Sequence, residues 1–219
     1  MAGVCMDITE RKAAEAQRDL LVAELSHRVK NTLATVQSIT MQTLRASDVA
    51  PSARELLEGR LIALAHAHDV LMEHNWKGAD LRETIDRALN AFVGNGGVRL
   101  RLEGPPVHIT PKVALALAMA LQELTTNATK YGALSNDTGH VNVSWTVRGR
   151  DPSVLSLRWQ ESGGPPVEPP NHQGFGSRLL KRNLADELGG EVDVEYAQGG
   201  VICTIDFPLI GDDDAPLNK

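Results

Sequence analysis

Leu121-Gln122-Glu123-Leu124-Thr125-Thr126-Asn127-Ala128-Thr129-Lys130-Tyr131 is the stretch on which the reading of this chain turns. At helical spacing Glu123, Asn127, Lys130 and Tyr131 share one face. Glu and Asn supply oxygens suited to Mg²⁺ or to a water it holds. Lys130 can meet a phosphate as a point charge, and Tyr131 offers an aromatic edge to a base. A solvated polar face of an ordinary amphipathic helix would carry the same residues, so the surrounding sequence has to decide.

Two glycine-rich loops follow. Trp159-Gln160-Glu161-Ser162-Gly163-Gly164-Pro165 reads as a strand that ends on a carboxylate and then opens. Glu161 there can accept a hydrogen bond from an exocyclic amine such as adenine presents. Gly163 and Gly164 permit close backbone approach. Gly174-Phe175-Gly176-Ser177-Arg178 directly precedes a predicted helix. The N–H groups of a helix start form an anion site, and Arg178 adds charge. Between the loops, the segment from Gly163 to Gly176 holds Pro165, Pro166, Pro169 and Pro170 and is neither helix nor central strand. Its place between the two sites predicts a nucleotide lid. A metal face, an adenine carboxylate and a phosphate loop in this order point to ATP more strongly than any one of them.

Upstream, residues 12–46 contain neither Gly nor Pro, and a helix is predicted over 10–44. Residues 47–52 read as a turn with Ser52 as N-cap, and a second helix follows over 53–73. So short a connection makes antiparallel neighbours. With His27 at zero, Leu21, Leu25, Val29, Val36 and Ile39 form an apolar stripe on the opposite side of the first helix. The stripe predicts a partner pair, most simply a four-helix bundle made by a homodimer. His27 falls on the polar side. It can be an ordinary surface histidine, but neutral imidazole is also a nucleophile near pH 7. Glu24, one turn away, can orient the ring and accept its proton. Lys30 and Asn31 can contact an incoming phosphate.

Past Trp76-Lys77-Gly78 the pattern becomes mixed. Helices are predicted over 81–92, 111–131 and 177–188. Strands are predicted over 98–102, 107–109, 140–147, 154–159, 191–196 and 201–207. Without regular βαβ spacing, this predicts a sheet with helices on one face. The fold class is α+β, a two-helix antiparallel hairpin followed by an α/β sandwich. Residues from 211 onward read as an acidic tail.

The blocks around Glu123–Tyr131, Glu161–Gly164 and Gly174–Gly176 resemble the N box and the two G boxes of the GHKL ATPase superfamily, whose ATP-binding fold is called Bergerat. Together with Leu25-Ser26-His27-Arg28-Val29-Lys30-Asn31 and Trp159-Gln160-Glu161, they resemble the HWE group of bacterial histidine kinases over about residues 8–209. The resemblance implies a dimerisation and phosphoacceptor domain over 10–76 and an ATP-binding catalytic domain over 77–210. It implies His27 as phosphoacceptor, Asn127 as Mg²⁺ ligand, Glu123 beside it as metal ligand or base, and Glu161 on adenine. The implied partner is the receiver domain of a response regulator. Two residues depart from the pattern: Gln122 stands where the group has His, and Arg28 follows His27 where other histidine kinases commonly have an acidic residue. Asp7-Ile8-Thr9-Glu10-Arg11-Lys12 resembles the exit of a PAS sensor domain, which makes residues 1–9 the end of an upstream sensor. An ATPase that drives conformational change, a scaffold, and a phosphatase-biased module are the competing readings.

Composition limits the alternatives. The 219 residues are 42% hydrophobic but only 4% aromatic, so the cores are aliphatic. A formal net charge of -6 leaves no basic excess for nonspecific nucleic-acid binding. Cys5 and Cys203 have no metal spacing and read as thiols in a reducing compartment. The longest apolar run, from Val113 to Leu121, is far short of the ~20 residues of a span. With no signal-peptide pattern, a cytoplasmic location without membrane contact is expected.

Overall fold

The computed structural model describes residues 9–46, 50–73, 78–93, 99–149, 152–167 and 184–209. The sequence-predicted tail, the Trp76-Lys77 junction, the start of the 177–188 helix and the loop residues Gly174, Phe175, Gly176, Ser177 and Arg178 lie outside them.

Helix α1 spans Thr9–Ala46, 38 residues, or about 57 Å. Helix α2 spans Pro51–Glu73. It starts two residues before the predicted position. Pro51 takes the first turn, where its missing N–H costs nothing, and Ala50 O accepts from Ala53 N and Arg54 N at 3.0 and 3.2 Å. Ser52 is therefore inside the helix and is not its cap. Arg54 Nη2 donates to Leu44 O at 3.0 Å, satisfying a carbonyl near the end of α1. Gln37 Nε2 donates to Leu61 O at 2.9 Å, and Lys30 Nζ pairs with Asp69 Oδ1 at 2.8 Å. These contacts fix an antiparallel hairpin.

A two-residue strand β1, Ala79–Asp80, leads into α3, Leu81–Val93. Asp80 caps α3: its Oδ1 accepts from Glu83 N at 3.1 Å. Strand β2 is Leu100–Glu103, and β3, His108–Ile109, pairs antiparallel with β1. Helix α4 covers Pro111–Lys130, with Thr110 as N-cap and Pro111 in the first turn. A short 3-10 turn, Ala133–Ser135, follows. Strands β4 (His140–Arg148) and β5 (Ser153–Ser162) come next. The last described elements are α5 (Ala185–Leu188), β6 (Glu191–Ala197) and β7 (Gly200–Leu209).

The main sheet has the order β2-β4-β5-β7-β6. Only β2 and β4 are parallel. Period-two alternation sends Val141, Val143 and Trp145 of β4, Leu155, Leu157 and Trp159 of β5, and Cys203, Ile205 and Phe207 of β7 to one buried face. Leu117, Leu121 and Leu124 of α4 and Leu81, Ile85 and Leu89 of α3 cover that face. Helix α2 belongs to the same core through Ala67, Val70 and Leu71. Gly59, Ala63 and Ala67, four residues apart on α2, are all buried. The expected helices on one face of a sheet, after a helical hairpin, are what is found. Among the described residues no helix is long and apolar enough to cross a membrane.

Along α1 the apolar stripe is exposed in the single chain, with Leu25 at 61% and Ile39 at 59%. That is the condition under which a second pair of helices would be needed.

Candidate functional site

Glu161 is a buried polar group at the end of β5. The strand predicted over 154–159, with Glu161 read as its closing carboxylate, runs to Ser162 in β5, so Glu161 lies within the strand, opposite Val141. Alternation then points its side chain to the buried face, where it is 3% exposed. Its Oε2 accepts from Ala133 N at 2.8 Å and its Oε1 from Trp159 Nε1 at 3.2 Å. Burial pushes the carboxyl above its ordinary value of 4.5, and these two hydrogen bonds oppose that shift. Each carboxylate oxygen accepts one bond here and has capacity for another, which suits a further N–H donor such as an exocyclic amine.

The backbone around this carboxylate is packed too closely for side chains. A Cβ on Gly132 would lie 2.1 Å from Glu161 Oε2, and one on Gly164 2.6 Å from Ala133 Cα. Gly163 has φ +73°, a conformation L side chains rarely adopt. Its carbonyl accepts from Asn136 Nδ2 at 3.0 Å and Thr138 Oγ1 at 3.2 Å. The loop after β5 is thereby fastened to the turn after α4.

Asn127 and Lys130 of α4 and Tyr131, which follows the helix, are exposed, Tyr131 at 73%. Glu123, one turn earlier, is only 2% exposed and forms an ion pair with Arg60 of α2, through Arg60 Nε and Glu123 Oε1. The expected polar face is thus divided. Three of its members are open to solvent, and the fourth is covered by the helical hairpin. Gln122 is also buried and donates from Nε2 to Thr126 Oγ1 at 3.1 Å, a bond within α4 on another flank. Sequence reasoning missed Arg60 entirely, since no local pattern links residues 63 positions apart.

Among the described residues no group of three or more His, Cys, Asp or Glu could hold a metal. Asn127, with at most one carboxylate, is still a fitting set for Mg²⁺, which keeps waters and takes phosphate oxygens for the rest of its shell. Asn127 meets that requirement as it stands. Glu123 meets it only when Arg60 releases its carboxylate.

On the hairpin, α1 carries His27 in a continuous helical backbone; its side chain lies outside the description. Glu24, expected beside that ring, pairs with Arg28 Nη2 at 2.6 Å, both ends well exposed. Lys30 is held by Asp69.

Residues 24–106 match the HWE histidine kinase family. A blue-light-activated histidine kinase of Brucella anthropi is 42% identical over 213 residues, covering 97% of this chain and 43% of that protein. Its counterpart in Brucella ovis is 42% identical over 208 residues, 94% of this chain and 42% of its own length. This chain therefore spans less than half the length of the curated relatives it matches. The histidine kinase domain of a blue-light activated histidine kinase from Erythrobacter litoralis superposes with a TM-score of 0.56 at 24% identity. It covers 89% of this chain and 93% of that domain, and it supports the fold. The HWE family and both relatives are histidine kinases, and this chain is similar to the relatives over nearly its whole length.

Proposed function

We propose that the chain is the output half of an HWE-type sensor histidine kinase of a two-component system. It uses ATP to phosphorylate His27, and the phosphoryl group then passes to an aspartate of a response regulator receiver domain. The observation that carries this reading is the Glu161 carboxylate, buried yet bonded to the turn that ends α4. That bond ties the strand of the adenine-type acceptor to the turn that follows the helix of Asn127.

Glu161 accepts the exocyclic amine of adenine with its remaining lone pairs. Asn127, and Glu123 once freed, hold Mg²⁺, which when bound neutralises charge on the phosphate oxygens. Lys130 lies one turn from Asn127 and adds a point charge for phosphate. Tyr131 provides an aromatic surface at the end of the same helix. The glycine loop with Gly174, Phe175, Gly176, Ser177 and Arg178 is assigned to the phosphates by its sequence alone. In the transfer, a ring nitrogen of His27 forms a bond to the γ-phosphorus as the bond to ADP breaks. The ring's proton passes to a carboxylate, for which Glu24 and Glu123 are the candidates.

The exposed stripe of α1 supports a homodimer through the hairpin. Asp7–Lys12 supports an upstream PAS-type sensor domain, and a cytoplasmic location follows from partner and substrate.

The test is incubation with γ-labelled ATP and Mg²⁺. Label that is acid-labile, base-stable and absent from His27→Gln is expected, because an amide is not a nucleophile. Label retained in His27→Gln would remove the phosphoacceptor assignment.

A further inference from the structure

Arg60 and Glu123 join two parts of the molecule with different tasks. Arg60 stands on α2 of the hairpin, and Glu123 stands on α4, which carries Asn127. The pair is enclosed: the Arg60 side chain is 13% exposed and that of Glu123 2%. On the same helix Gly59, Ala63 and Ala67 are buried as well. Two other ion pairs on the hairpin are open. Lys30–Asp69 has side chains 56% and 35% exposed, and Arg28–Glu24 73% and 60%.

The register of the hairpin shows where this pair holds α4. Gln37 meets Leu61 and Lys30 meets Asp69, so Arg60 lies level with Ser38 and Ile39. His27 is then about three helical turns, roughly 17 Å, further along α1. Transfer needs donor and acceptor atoms within about 3.5 Å.

We propose that Arg60 is a latch: it competes with Mg²⁺ for the carboxylate of Glu123 and thereby keeps the kinase in a docked, metal-poor state. The proposal rests on the ATP-site reading above. A buried carboxylate cannot serve guanidinium and metal together, so productive Mg²⁺ binding and docking of α2 on α4 exclude one another. Apparent affinity for a metal-nucleotide is then the intrinsic affinity reduced by the fraction of undocked molecules. By reciprocity, any movement of the hairpin that separates α2 from α4 raises that fraction, and nucleotide binding loosens the hairpin contact in return. An input signal reaching α2 through the hairpin would need no other connection to the nucleotide site.

Arg60→Met keeps the packed stem and removes the charge. It leaves Glu123 without its Arg60 partner in the docked state, which favours undocking. Calorimetric titration with a nonhydrolysable ATP analogue is expected to show binding at least about threefold tighter than wild type in Mg²⁺, with little change in EDTA. Arg60→Lys, which keeps the charge, should stay near wild type. Equal or weaker Mg²⁺-dependent binding by a folded Arg60→Met protein overturns the latch. Should that variant fail to fold, hydrogen exchange on the wild type decides. Saturating Mg²⁺-analogue should lower the protection of α2 amides around Gly59–Ala63, and unchanged or increased protection overturns the latch. If neither wild type nor variant binds the analogue at all, the ATP-site reading falls and the latch with it. Binding that is equal in both removes the latch alone.

Discussion

Trp159 and Glu161 stand two residues apart on β5 and face the same side of the sheet, so that the indole Nε1 donates to the Glu161 carboxylate at 3.2 Å. Trp159 is fully buried and Glu161 nearly so. The large residue thus excludes water from the carboxylate while supplying one of the two donors that compensate its burial. A Trp-x-Glu spacing is what a strand needs to do both with neighbouring side chains on one face.

Replacing Glu161 by Ala is expected to weaken ATP binding by about 1.5–3 kcal/mol, the cost of a hydrogen bond to a charged group. A purine triphosphate lacking the exocyclic amine should lose much less, since it has no such donor to lose. Titration of both nucleotides gives the comparison, and equal losses would take Glu161 out of adenine recognition.

Gly132→Ala places a methyl group 2.1 Å from Glu161 Oε2 and 2.9 Å from Ala128 Cα. Overpacking of this kind typically costs about 1–3 kcal/mol. Urea unfolding should register that loss, and nucleotide affinity should fall with it. Gly199→Ala is the control, because nothing lies within 4 Å of its added Cβ; its change should stay within about 0.5 kcal/mol. A Gly132→Ala protein as stable as this control would mean that the turn can move away from Glu161 at little cost.

The raised pKa of Glu161 sets a direction for stability against pH. Its folded value lies above the ordinary 4.5, so the folded state holds the proton more tightly than the unfolded chain does. The resulting stability is fully present below 4.5 and is lost as pH rises through the folded value. Relative to Glu161→Gln, the wild type should therefore lose stability on going from pH 4 toward pH 7. Thermal unfolding of the two proteins across that range tests the sign, and a difference that is flat or opposite in slope would contradict it.

Leu25→Glu combined with Ile39→Glu should leave the single chain folded, because both side chains are largely exposed in it. Surface changes of this kind usually alter stability by no more than about 0.5 kcal/mol. Self-association should be lost, as seen by sedimentation. A wild-type chain that is already monomeric at micromolar concentration would argue against a hairpin dimer.

Local chemistry made much of this protein readable from its residues. The α4 helix announces itself through Pro111 at its start and the apolar run from Val113 to Leu121 behind it. Strand β4 shows in the alternation Val141-Asn142-Val143-Ser144-Trp145, and the hairpin in a long stretch without Gly or Pro. Glu161 could be singled out because it is a carboxylate at the end of a strand pattern, followed by Gly163-Gly164, which permit close backbone approach. All of these signals arise between residues a few positions apart, where backbone preference and side-chain period act directly. The β1–β3 pairing was not legible, since two-residue strands carry no period. The end of β5 was misplaced because Gly and Pro beyond Glu161 look like loop, while the ladder to β4 holds the strand to Ser162. Only the tertiary structure decided the environment of Glu123. Its helical face suggested solvent and metal, but Arg60 reaches it from 63 positions away once α2 docks on α4. Which charge meets which across such a distance depends on how two helices pack, and that is fixed by the shared core, not by either segment.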